Sequence, residues 1–159
     1  MKKFLTMTMA VMAFVVSMSS CGSDDDEPEV AVANQVVGSY TGTEVLTVMG
    51  EADESTETFE FTKATDSSVD MVIPKYGEGM MTVPALPVKG IMLTKSGNTI
   101  TGKLAQYEGS VQTADGAEKA YTVSDVTVIF SDNTVVVTFT QKYSNMPFGF
   151  EGQFTGTRK

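Results

Sequence analysis

Beyond Ala33, apolar and polar positions alternate in short runs, and Gly, Asn, Asp and Pro separate the runs. A period of two puts successive side chains on opposite faces of a strand, so each run predicts a half-buried β-strand. Eight are predicted, over residues 36–49, 56–64, 68–73, 88–94, 99–107, 121–130, 134–143 and 148–158. In the first, Tyr40, Gly42, Glu44 and Leu46 alternate against Thr41, Thr43, Val45 and Thr47. In the second, Phe59 and Phe61 oppose Thr58, Glu60 and Thr62. In the last, Phe148, Phe150, Gly152, Phe154 and Gly156 share one face. Residues 50–55 read as a polar turn, and 74–87 and 108–120 as longer connections. No window carries an apolar stripe at helical spacing with capping signals.

Consecutive short strands with tight turns predict an all-β domain, a single eight-stranded antiparallel up-and-down barrel. A sandwich uses the same strands. Glycines inside strand runs, such as Gly42, Gly90, Gly102 and Gly152, favour the barrel, because they mark bends in a curved sheet. The predicted inward faces carry Phe59, Phe61, Met71, Met92, Phe130, Phe139, Phe150 and Phe154. A barrel of this size either fills itself with side chains or holds one small ligand, and these residues would line the cavity in one case and form the core in the other. Met80 and Met81, between Gly79 and Pro84, predict a flexible apolar lip at one mouth, or a plug for it.

The N-terminal pattern differs. Lys2 and Lys3 precede an apolar stretch over residues 4–18, and Ser19 and Ser20 precede Cys21. Charge, apolar core and small residues in that order predict a signal peptide, residues 1–20, removed on export. The stretch is too short for a comfortable membrane span. Residues 18–21, Met-Ser-Ser-Cys, resemble a bacterial lipobox, which implies that Cys21 is lipidated and anchors the mature chain to its membrane. This accounts for the lone cysteine, which otherwise implies a free thiol or an intermolecular bridge. The acidic Gly/Ser/Pro-containing run that follows predicts a solvated tether, residues 21–34, ahead of a domain over 35–159. The same run resembles the acidic export signal of Bacteroidetes surface lipoproteins, which implies a place in the cell envelope, at the outer membrane, with its outer face as the address such signals serve.

Charge narrows the partners. The chain has 11 Lys and Arg against 20 Asp and Glu. Loss of Lys2 and Lys3 leaves nine basic groups against twenty acidic, a net charge of about −11. Nucleic-acid binding needs clustered basic residues, so no nucleic-acid partner is expected. There is no histidine, which removes the usual general base, the Ser-His and Cys-His systems, and histidine-ligated metals. The acidic pairs Asp53-Glu54 and Glu57 with Glu60 fall in predicted turns or on solvent faces. Asp24-Asp25-Asp26 lacks the glycine hinge and distal Glu of a calcium loop. No enzyme activity, cofactor or metal is expected.

Three stretches carry a family resemblance. Residues 37–43 (VGSYTGT), residues 69–101 with LPVKGIML at 86–93, and residues 150–158 (FEGQFTGTR) resemble the calycin-like β-barrel domain of Bacteroidetes lipoproteins, over about residues 35–158. Lipocalins, also calycins, pair a Gly-x-Trp in the first strand with an arginine near the end of the barrel. Gly38-Ser39-Tyr40 and Arg158, the chain's single arginine, stand at the corresponding places with Tyr for Trp. The resemblance implies that the Arg158 guanidinium packs over the Tyr40 ring and joins the first strand to the last. Two functions stay open: a membrane-anchored module binding a small apolar or amphipathic ligand, or a surface-displayed interaction module with a filled barrel, its protein partner undefined.

Overall fold

In the computed structural model, residues 30–79 and 82–159 are described. Eight strands follow in order: β1 (Gly38–Val48), β2 (Glu51–Thr65), β3 (Ser68–Ile73), β4 (Leu86–Ser96), β5 (Thr99–Gln112), β6 (Glu118–Ser131), β7 (Thr134–Tyr143) and β8 (Phe150–Arg158). Each pairs antiparallel with the next and β8 pairs with β1, closing an up-and-down barrel. Closure leaves no continuous sheet edge. A short helix, α1 (Val32–Val36), precedes β1 and buries Ala33 and Val36. It starts inside the segment expected to be tether, and its single turn is too short for a helical stripe to show in the sequence. The signal peptide, Cys21 and the first part of the tether lie outside the described residues.

Two hairpins are longer than their sequence suggests. Residues 51–55 are strand, pairing with Glu44–Val48, and the turn is only Met49-Gly50. Both turn residues have positive φ, +52° and +87°, the arrangement whose twist matches flanking strands. Likewise β5 and β6 continue in register from Gly109↔Tyr121 to Gln112↔Glu118, so most of the expected 108–120 connection is strand. Neither β2 above Glu60 nor β5 above Lys103 pairs on its other side. The wall is therefore open at this end, between two projecting ribbons.

The interior is filled in tiers. Tyr40, Phe61 and Phe130 meet near α1, with Phe61 and Phe130 edge to face at 5.0 Å between centroids. Above them Phe59 stacks on Phe154 at 4.2 Å and approaches Phe139. Inward Gly152 makes the room, since a Cβ there would stand 2.1 Å from the Phe139 ring. Outward positions are mostly Thr, Ser, Gln, Glu and Lys, as in Glu151, Gln153, Thr155 and Thr157 of β8. Membrane-spanning barrels show the reverse, with an apolar band outside and a polar lumen. This barrel is built to stand in water.

Met92 is a correction. Strict alternation from Leu86 and Val88 puts Met92 inside, yet it is 57% exposed while Ile91 and Leu93 are buried. Gly90 is an extra residue in β4: the register slips between Val69↔Ile91 and Met71↔Val88. Its φ is +78°, and its N–H donates to Asp70 Oδ1 at 2.9 Å. A bulge of this kind inserts one residue and reverses the facing of every residue beyond it.

Candidate functional site

The two ends of the barrel differ. At the lower end α1 covers the opening: Ala33 N–H donates to Asp66 O at 3.1 Å, and the Tyr40 hydroxyl to Val36 O at 3.0 Å. Tyr40 and Arg158 are cross-strand partners, with Arg158 Cζ 5.5 Å from the Tyr40 ring centroid. Arg158 Nη2 donates to Gln35 O at 3.0 Å and Val37 O at 2.5 Å. This end is tied shut.

The upper end is open. Leu46 and Val48 of β1, Glu51 and Asp53 of β2, Tyr76 and Gly77 of the β3–β4 connection, and Phe150 of β8 surround a pocket of about 500 Å³. Cross-strand pairing Leu46↔Asp53 and Val48↔Glu51 places these side chains on the face that carries Tyr40 and Phe59 lower down. Tyr76 is held by backbone pairing with Val83, Tyr76 N–H to Val83 O at 3.1 Å and the return at 2.8 Å. Its ring meets Phe150 edge to face at 5.2 Å. A second pocket of about 560 Å³ lies where that connection meets the β5–β6 turn, lined by Lys75, Pro84, Ala85 and Asp115 among others. Met80 and Met81, the expected lip, lie outside the described residues.

Between mouth and aromatic tiers sits a polar layer. Glu44, one inward step below Leu46, is 1% exposed and Gln141 of β7 is 1% exposed. Gln141 Nε2 donates to the Tyr76 hydroxyl at 2.5 Å. Glu44 Oε1, Gln141 Oε1 and the Tyr143 hydroxyl are buried without a hydrogen-bond partner. Burial raises the Glu44 carboxyl from 4.5 to about 7, with the Glu57 charge adding to it. Burial also pushes the Tyr76 hydroxyl up, and the Glu44 carboxylate opposes its ionisation further. Among the described residues the ion pair is Lys63–Asp66, on the surface at the lower hairpin; none reaches Glu44. A buried carboxylate without a cation or donor is costly, and the unmatched atoms are two acceptors, Glu44 Oε1 and Gln141 Oε1, against one hydroxyl, Tyr143.

Of the predicted interior residues, Phe59, Phe139 and Phe154 form one tier, Phe61 and Phe130 another with Tyr40, and Met71 is 1% exposed. They are core. Phe150 alone reaches the mouth, and Met92 is outside. The acidic pairs divide: Glu54 and Glu60 face outward, as expected, but Asp53 lines the mouth and half-buried Glu57 faces the interior. Glu44 stood in the inward alternation of its strand, but a charged residue there does not read as buried. Gln141 and Tyr76 carried no sequence signal, because Tyr76 lies in a connection and Gln141 belongs to a polar QK pair at the end of its strand.

No family model and no curated protein matches this sequence. Among solved structures, the chain is similar to a putative outer membrane protein from Bacteroides fragilis NCTC 9343, with TM-score 0.62 and 17% identity. The match covers 81% of this chain and 53% of that one, so the chain spans about half the length of that protein. A redesigned β-barrel matches with TM-score 0.40 and 13% identity, over 82% of this chain and 97% of that one. What the Bacteroides likeness shows is the barrel fold.

Proposed function

We propose that this chain is a cell-envelope lipoprotein of the calycin-like kind, anchored through lipid on Cys21, whose barrel binds a small amphipathic ligand at its open mouth. The observation that carries the binding reading is the pocket of about 500 Å³ between Leu46, Tyr76 and Phe150, with unpaired buried polar atoms in the layer beneath it. Apolar walls with a few convergent polar groups are what small-ligand sites look like. The ligand belongs at the mouth and not along the shaft, which aromatic rings occupy. The role is non-catalytic: the chain has no histidine, and the acidic mouth groups are not set beside a nucleophile–base pair.

The anchoring reading rests on the signal pattern ahead of Cys21 and on the polar outer wall, which calls for a tether to hold a water-surrounded barrel at a membrane. It agrees with the location in the name of the Bacteroides fragilis protein. Cys21→Ser is expected to release the barrel, still folded, from the membrane fraction; retention with normal processing would remove the lipid anchor from the proposal. For the mouth, Leu46→Trp is expected to abolish thermal stabilisation by small amphiphiles that stabilise the parent chain. The alternative, an interaction module without a ligand, draws on the same filled shaft and would be favoured if no amphiphile shifts the midpoint.

A further inference from the structure

Resting on the mouth as a binding site, the chemistry of its floor narrows the ligand. Glu44 Oε1, below Leu46 on β1, and Gln141 Oε1, whose residue pairs with Phe150, are buried acceptors without a partner, on side chains 1% exposed; the third orphan, the Tyr143 hydroxyl, is the one unpaired donor. The Tyr76 hydroxyl already accepts from Gln141 Nε2, and its one proton cannot serve both. A carboxylate offers about four acceptor sites and an amide oxygen two, whereas an ammonium brings three donors. The charge has one sign throughout. Asp53 and Glu51 stand on the rim, half-buried Glu57 follows on the same inward face of β2 next to Ser55, the partner of Glu44, and Tyr76 lines the pocket from the β3–β4 connection. An anion would be repelled, and an acceptor-only ligand would leave both oxygens unsatisfied. Glu44 lies two strand positions below Leu46, about 7 Å at the usual rise, so the charged group must arrive on a slender apolar stem that passes Leu46 and Phe150.

We propose that the mouth receives a primary ammonium on an aliphatic stem, with Glu44 and the Gln141 carbonyl oxygen taking the ammonium and Leu46, Val48 and Phe150 packing the stem. The aromatic faces of Tyr76 and Phe150 suit the same ligand, since cations are attracted to ring faces. Such an ammonium comes from a free alkylamine or from a lysine side chain.

Calorimetry at about pH 8, where Glu44 is ionised, tests this with pentylamine, the isosteric pentanol and a backbone-blocked lysine amide. Pentylamine is expected to bind at least about tenfold more tightly than pentanol, as a charge-assisted contact would give. Glu44→Gln should remove that margin, bringing the two affinities together. Gln141→Met, which spares β1, should weaken pentylamine several-fold and serves if Glu44→Gln fails to fold. Tighter binding of the lysine amide than of pentylamine assigns the site to a peptide-borne ammonium, and the reverse to a free amine. Equal binding of pentylamine and pentanol, or pentylamine binding indifferent to Glu44→Gln, overturns the ammonium assignment while the mouth stands. If neither compound binds, the mouth itself is not a ligand site and both readings fall.

Discussion

Tyr40 and Arg158 face each other across the β1–β8 seam, and the guanidinium lies over the ring while donating to two carbonyls at the end of α1. One side chain thus joins the first strand, the last strand and the helix that covers the lower end. Gly38 is part of the arrangement: its φ is +142°, and a Cβ there would press on Arg158 Nε at 3.3 Å. Arg158→Ala is expected to cost about 2–3 kcal/mol, from charge-assisted bonds to half-buried carbonyls and the cation–π contact. Arg158→Lys should recover only part, because a point charge cannot reproduce the fork. Tyr40→Phe, losing the bond to Val36 O, should cost about 1 kcal/mol. Denaturant midpoints at constant slope check all three.

Gly90 sets which residues of β4 face the core. With φ of +78° and nothing near its missing Cβ, Gly90→Ala incurs backbone strain alone, about 1 kcal/mol. Asp70→Ala, which strands the Gly90 N–H, should cost about 1–2 kcal/mol. Deletion of Gly90 is a different matter. It would restore strict alternation and turn Met92 inward at the expense of Ile91 and Leu93, and soluble folded protein is not expected. A deletion variant with a cooperative transition near that of the parent would refute the register argument.

The same bulge shows where the sequence could be read and where it could not. Strands β3 and β7 are predicted to the residue, since Val69, Met71 and Ile73, and Val135, Val137 and Phe139, fall at every second position of short β-branched runs. The ribbons above them are less legible because residues 51–55 are exposed on both faces and residues 108–112 bury only Gly109 and Val111, each in part. Met92 failed because a single inserted residue leaves composition untouched and reverses the phase. The lower end was legible through Tyr40 and Arg158, but the mouth was not. Its determinants are a charged residue on an inward face, Glu44, and a tyrosine in a connection, Tyr76, which only tertiary pairing brings together.

Gly152 and Phe139 are complementary in volume. A Cβ at Gly152 would come within 2.1 Å of the ring, and the ring is itself packed against Phe59. Gly152→Ala should therefore destabilise by roughly 1–3 kcal/mol through overpacking. Phe139→Leu alone should also destabilise, by leaving space beside Phe59. In the double variant the added methyl occupies part of that space. Its cost should be smaller than the sum of the single costs by roughly 0.5 kcal/mol or more, the coupling expected of residues in contact. Strict additivity would mean that Gly152 is needed for its backbone and not for the ring.

Glu44 makes stability depend on pH with a definite sign. Its carboxyl is raised from 4.5 to about 7, first by burial and then by the Glu57 charge. The folded state therefore holds this proton more tightly than the unfolded chain does. Stability falls as pH rises between those two values and stays lower above them, because there folding must bury the charge. Glu44→Gln keeps the shape and cannot ionise. Relative to the parent it should gain roughly 1–3 kcal/mol at about pH 8 and little at about pH 4. Other carboxylates titrate in both proteins, so the difference between the two curves isolates this group. A variant curve parallel to the parent across the range would show that Glu44 ionises as freely folded as unfolded. Its environment would then be wetter than its 1% exposure indicates.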